Sequence, residues 1–201
     1  MNDIAVEYLE QLEEIDRRRD HDLQFLEHMK EGVDMALDAG DTYAFLLVSK
    51  MFDSPDGKRI LADNCEPLRL YYLMDAVQKE EAAGYPLFIR GVSSYDELMD
   101  RYIACDLYLR RIEFGITPGA EEATGFLRAQ KISPYAVRAV LYHPTSYLGH
   151  REQILLRLAE DALTGRQYKT AYDYLSVIGE ASAGTLALKE KLGALIGRGA
   201  G

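Results

Sequence analysis

"LTGRQYKTAYDYL", residues 163–175, decides how this chain is read. A helix-forming run with Leu155, Leu158 and Ala159 on one face reaches Gly165, a residue that stops helices. Three positions later a second amphipathic run opens with Tyr168 and Ala171 and continues through Leu175. The pattern predicts two antiparallel helices joined by a tight turn. Ala159 and Ala171 would let their axes approach to about 8–10 Å, and Tyr168 would plug the corner.

Working outward, the rest of the chain shows the same three- and four-residue spacing. Ile4, Leu9, Leu12, Ile15, Leu23, Leu26 and Met29 form an acidic amphipathic helix over 1–31 that ends or kinks at Gly32. Residues 32–196 read as helix hairpins. Asp41 or Thr42 caps a run that Pro55 closes; Pro67 stands near a first turn, and Gly84 is a left-handed stop. Ser94 and Glu97 have capping-box spacing, Gly115 ends that helix, and "TPGAEEATGFLRAQK" (117–131) predicts another. Ser133 precedes Pro134 at a further start, and "TLALKEKLGALIG" closes the set. "YPLFIRGV" (85–92) is the one ambiguous run, and the glycine-rich 197–201 is expected to fray. The fold class is all-α, with about nine helices in one domain, 1–196, either a right-handed solenoid of hairpins or an irregular bundle. Gly40, Gly84, Gly125 and Gly165 lie 44, 41 and 40 residues apart, a spacing that suggests a helical repeat.

From Leu155 to Ile178 the chain resembles a tetratricopeptide repeat or its SEL-like relatives. Leu155, Leu158 and Leu175 stand at the family's large apolar positions, Ala159 and Ala171 at its small ones, and Tyr168 at its aromatic one. "AGDTYAFLLVSKMF" (39–52) is similar more loosely. Gly165 is one position early, Ile178 replaces a small residue, and the closing proline is absent. The resemblance implies a groove for a peptide or partner protein, with no cofactor.

Charge narrows the partners. The chain carries 33 acidic and 23 basic residues, a net charge of −10. Residues 1–130 hold 27 acidic and 14 basic, so −13; residues 131–201 hold 6 and 9, so +3. An acidic surface repels nucleic acid and anionic membranes and steers basic partners. No window approaches the roughly 18 apolar residues of a membrane span. "MNDIAVEYLEQLEE" lacks the basic flank and apolar stretch of a secretory signal. With Cys65 and Cys105 read as free, mostly buried thiols, the expected setting is cytoplasmic.

Little points to chemistry. His21 and His28 are two helical turns apart, about 10 Å, too far to share a metal. His143 and His150 flank a turn outside any HExxH spacing. The glutamate pairs, Glu80 and Glu81 among them, diverge by about 100° around a helix and read as surface charge. No catalytic, cofactor-binding or metal-binding residues are assigned, and an enzyme is not expected.

A rival reading comes from "ISPYAVRAVL". Residues 123–160 resemble the helix-turn-helix of the lactose-repressor family, with Ile132, Val137 and Val140 buried and Ser133 as cap. That resemblance implies that Tyr135, Arg138 and Tyr142 face the major groove. Five basic against two acidic residues in 123–160 suit it; Leu127 and Lys131, at the family's small alanine and turn glycine, do not. The leading expectation is therefore a non-enzymatic protein–protein interaction module, with Tyr135, Arg138, Tyr142, Tyr168 and Tyr172 as partner-binding candidates. A small acidic immunity, antitoxin or mobile-element accessory protein is a further alternative, and self-association is left open.

Overall fold

The computed structural model describes residues 3–114, 127, 129, 132–144, 146 and 148–199, with backbone alone for 3–9 and 198–199. Among them are nine α-helices: α1 (Asp3–Asp38), α2 (Thr42–Leu47), α3 (Pro55–Asp63), α4 (Cys65–Ala83), α5 (Tyr95–Phe114), α6 (Pro134–Leu141), α7 (Arg151–Thr164), α8 (Tyr168–Ser176) and α9 (Ala183–Gly199). A 3-10 turn spans Val48–Asp53, and no strand occurs among the described residues. The protein is all-α. "YPLFIRGV" is turn and loop, closed by Arg90 N–H on the Leu87 carbonyl, with Gly91 at φ 73°. The stops at Gly115 and Gly125 fall outside the described residues, as does the expected helix over 117–131 except at 127 and 129, which are helical.

The hairpin around Gly165 forms, but its corner is built differently from the expectation. Leu155, Leu158, Ala159, Ala171 and Leu175 are all buried. Tyr168, however, is 47% exposed and does not plug the turn. Gly165 is not the left-handed residue either: its φ is −80°, and Arg166 takes the left-handed seat at φ 55°. Arg166 N–H bonds the Leu163 carbonyl and Gln167 N–H bonds that of Ala162. This is a Schellman ending with arginine where glycine is usual.

The same ending recurs with glycine. Gly40 (φ 64°) bonds Leu37 while Asp41 reaches Ala36. Gly84 (φ 73°) bonds Glu81 while Tyr85 reaches Glu80.

The chain divides into two compact units, residues 1–68 with 92–95, and residues 69–91 with 96–201. In unit 1, α1 does not stop at Gly32 but continues to Asp38. A Cβ on Gly32 would lie 3.6 Å from Val48 Cγ2, so the helix passes close to the 3-10 turn there. Met29, Val33, Ala36 and Leu37 on α1 bury in this unit, as do Phe45, Phe52 and Ile60. Asp41 rather than Thr42 caps α2, accepting Ala44 N–H at 3.0 Å. Pro55 closes one run but also opens α3, a start that the apolar spacing alone does not separate. Ser54 caps α3 through Gly57 N–H, with proline in the first turn.

Asp22 on α1 takes a two-pronged bond from the Arg59 guanidinium of α3. That bond holds the Asp22 carboxyl below its usual pKa.

Unit 2 holds most of α4 and α5 together with α6–α9. Here α7 packs on α8, and α8 on α9 and α6. The last helix runs to Gly199, so the glycine-rich tail starts as helix rather than fraying at 197. Charge separates between the units. Unit 1 carries 17 acidic and 7 basic residues, so −10; unit 2 carries 16 of each, so 0.

Candidate functional site

Tyr142 ends α6, and its ring is gripped from several sides within unit 2. Ser133 caps α6 by accepting Ala136 N–H at 3.1 Å, and Pro134 starts the helix. Of its eight residues, Pro134, Ala136, Val137, Ala139, Val140 and Leu141 are buried. That leaves Tyr142 half-buried at the C-terminal end. Its hydroxyl accepts Gly179 N–H at 2.9 Å. The guanidiniums of Arg138 and Arg151 stand 4.9 and 5.3 Å from the ring centroid. Gly179 is a steric requirement: a Cβ there would sit 2.9 Å from Tyr142 Cε1.

Beside this ring lies a groove of about 580 Å³ lined by Tyr142, Leu148, Gly149, Arg151, Glu152, Gln153, Gly179 and Glu180. Both of the arginines at Tyr142 are spent on the protein itself. Arg138 Nε donates to the Val177 carbonyl at 3.0 Å, and Arg151 donates to the carbonyls of Leu148 and Ser146 at 3.1 and 2.8 Å. Glu152 is committed as well: it accepts Thr185 Oγ1 and Ser182 N–H at 2.6 and 2.8 Å, at the start of α9. Those bonds, the threonine's first, hold its carboxyl below the usual range. The exposed polar groups left on the groove are Gln153 and the Glu180 carboxylate.

The five candidate residues therefore separate. Arg138 and Tyr142 meet, but as mutual support. Tyr135 packs edge-on against Tyr85 at 5.9 Å. Tyr172 lies half-buried under Lys189, whose Nζ is 5.6 Å from its ring. Tyr168 stands exposed. For DNA reading, Ile132, Val137, Val140 and Ser133 behave as that resemblance implies, yet Arg138 and Tyr142 are tied inward. A duplex contact there would have to break the bonds to Val177 and Gly179.

Two buried polar centres escape a reading of the sequence. Glu80, expected as surface charge, is fully buried. It accepts Phe88 N–H at 2.7 Å and the Ser133 hydroxyl, joining α4 to the 85–91 loop and to the cap of α6. Burial pushes its carboxyl up to about 7 despite both bonds. His143, at the turn after α6, is also fully buried, edge-on to Tyr72 and Tyr102 at 5.5 and 6.2 Å. Burial, reinforced by the positive charge of Arg69, lowers its pKa.

In the same unit, Tyr85 donates to Asp173 at 2.7 Å, and Lys169 reaches Asp173 at 3.2 Å and the Ala83 carbonyl at 3.0 Å. These contacts fasten the loop after α4 to α8.

The thiols split. Cys105 is buried and its pKa is pushed up to about 12, whereas Cys65 is exposed, against expectation; both are free. Among the described residues, no three of His, Cys, Asp and Glu are grouped to hold a metal, and no helix is long and apolar enough to cross a membrane. No family model, curated protein or solved structure matches this chain.

Proposed function

We propose that this protein is a non-enzymatic interaction module that takes an extended, basic segment of a protein partner in the unit 2 groove. The observation that carries the reading is the groove at Tyr142. One wall is an aromatic ring already fixed by Gly179, Arg138 and Arg151. A ring held in place before binding loses little freedom when a ligand packs against it.

The electrostatics choose the ligand. The groove's lining sets Glu152 and Glu180 against Arg151, one net negative charge, and of the two carboxylates Glu180 is the exposed one. A lysine or arginine side chain complements it. The backbone of the α7–α8 hairpin and its neighbour α9 supports the groove much as a TPR- or SEL-like unit supports a peptide.

The test is selection of a random-peptide display library on the full chain, followed by anisotropy titration of a selected peptide. Lys- or Arg-bearing peptides should emerge, and Glu180→Lys should lose them while Glu160→Lys, on exposed α7 surface, keeps them. Selected peptides that bind the Glu180→Lys variant equally well would overturn the groove reading.

A further inference from the structure

We infer that the N-terminal half of α1 is a self-association element, pairing antiparallel with α1 of a second copy of this chain. The helix is 36 residues long. Its C-terminal half buries Met29, Val33, Ala36 and Leu37, while residues 10–21 are exposed apart from half-buried Glu14. An exposed helical arm gains little from propensity alone, since packing supplies most helical stability in proteins. Yet the arm carries large apolar side chains into water: Leu12 is 40% exposed, Ile15 59% and Leu23 49%.

The spacing of the arm names its occupant. Leu12, Asp16, Arg19, Leu23 and Leu26 recur at alternating steps of four and three, the spacing of a two-helix seam. On an ideal helix they fall within a sector of about 80°. In an antiparallel pair with its two-fold axis between positions 17 and 18, Leu12 faces Leu23 of the second copy and Asp16 faces its Arg19. Symmetry repeats both layers, as an isologous interface requires. Every one of these layers is apolar on apolar or opposite in charge.

This orientation neutralises the polar break, which a parallel, in-register pair does not. In a parallel, in-register pair Asp16 would meet Asp16 and Arg19 would meet Arg19. The neighbouring arginines are engaged at home, since Glu14 pairs with Arg17 at 3.5 Å and with Arg18 at 3.0 Å. The alignment costs one rim pair per side, Glu13 near Asp20, where solvated like charges cost a few tenths of a kcal/mol.

The receiving surface is already shaped. Leu23 and Leu26 line a groove of about 430 Å³ with Met29, Pro67 and Tyr95, edged by Lys30, which pairs with Glu66 at 3.6 Å. The second copy's Leu12, seated against Leu23, would enter its end.

Sedimentation velocity of the full chain over a concentration series tests the pairing. At about 0.15 M salt, where charges beyond about 8 Å are screened, the wild type should dimerise. Leu12→Asp should give a monomer that keeps a cooperative unfolding transition, because Leu12 is exposed in the single chain and the buried residues of α1 lie in its C-terminal half. Arg19→Asp, which sets carboxylate against carboxylate, should also give monomer. The swap Asp16→Arg with Arg19→Asp should restore the dimer. A wild type that stays monomeric at every concentration, a dimer indifferent to Leu12→Asp, or a charge swap that restores nothing would each overturn the inference.

Discussion

Replacing Glu80 by glutamine isolates a buried carboxyl whose contribution to stability has a definite sign. The side chain is fully buried and its pKa is raised from 4.5 to about 7, chiefly by desolvation. The folded protein therefore holds a proton that the unfolded chain has released between those values. Stability from this group is fully present below about 4.5 and is lost as pH rises through about 7. Between pH 5 and pH 8 the linkage relation makes the loss about 2–3 kcal/mol, at about 1.4 kcal/mol for each pH unit over which the folded state keeps the extra proton. Glutamine resembles the protonated form: its carbonyl can accept Phe88 N–H, and its amide can donate to Ser133 Oγ.

Other titrations complicate the wild-type curve alone. His143, with its lowered pKa, contributes in the opposite direction, gaining stability as pH rises toward its unfolded value. Subtracting the Glu80→Gln curve removes that and every other shared contribution. Urea unfolding of both proteins across this pH range should show the gap in favour of the glutamine variant widening by about 2–3 kcal/mol from pH 5 to pH 8. Parallel curves across the range would show that Glu80 does not hold a proton in the folded state, and the reasoning would fail.

Further outcomes follow from particular residues. Arg166→Gly relieves a left-handed seat at an exposed position and should stabilise by about 1 kcal/mol, raising Tm by about 2–4 °C for a chain of this size; a lower Tm would contradict the Schellman assignment. Gly57→Ala should destabilise by about 3 kcal/mol in urea unfolding, because its Cβ would meet the Met51 carbonyl oxygen and Phe52 Cα within van der Waals contact, at 2.7 Å for the latter. An aromatic disulfide reagent should titrate one thiol rapidly in the native protein, Cys65, and the second only on unfolding; two fast thiols would place Cys105 outside the core.

Much of the fold is legible in the sequence because helices declare themselves locally. The four- and three-residue spacing, Ser133 before Pro134, and Gly40 and Gly84 as left-handed stops all act within a turn or two of chain. The misreadings also have local causes. Gly165 and Arg166 are adjacent, and sequence favours glycine for the left-handed seat, whereas the hydrogen bonds of the corner set the residue one place later. Gly32 looks like a stop, but an interior glycine costs a helix only about 1 kcal/mol, and the burial of Met29 and Val33 on either side carries the helix through it. Tyr168 carries the aromatic signature of a corner plug, yet it stands 47% exposed, and the corner is closed by the backbone bonds of Arg166 and Gln167.

The site is hardly legible at all. Glu80 looks identical to Glu81 in sequence, and its buried hydrogen-bond partner Ser133 is 53 residues away. Glu152 gives no hint of capping α9 until Ser182 and Thr185 are brought to it. The spacing sets Arg138 and Tyr142 together on one helix, but their partners Val177 and Gly179 turn them inward. Charges and aromatics on helices announce their spacing; their commitments are made by tertiary contacts.

The most direct test of the interaction reading is amide hydrogen exchange of the full chain, alone and saturated with a peptide selected on it. Added protection should concentrate at residues 148–153 and 179–182, the two edges of the Tyr142 groove. Protection confined to other segments, or none despite saturation, would contradict the claim that this groove receives a partner.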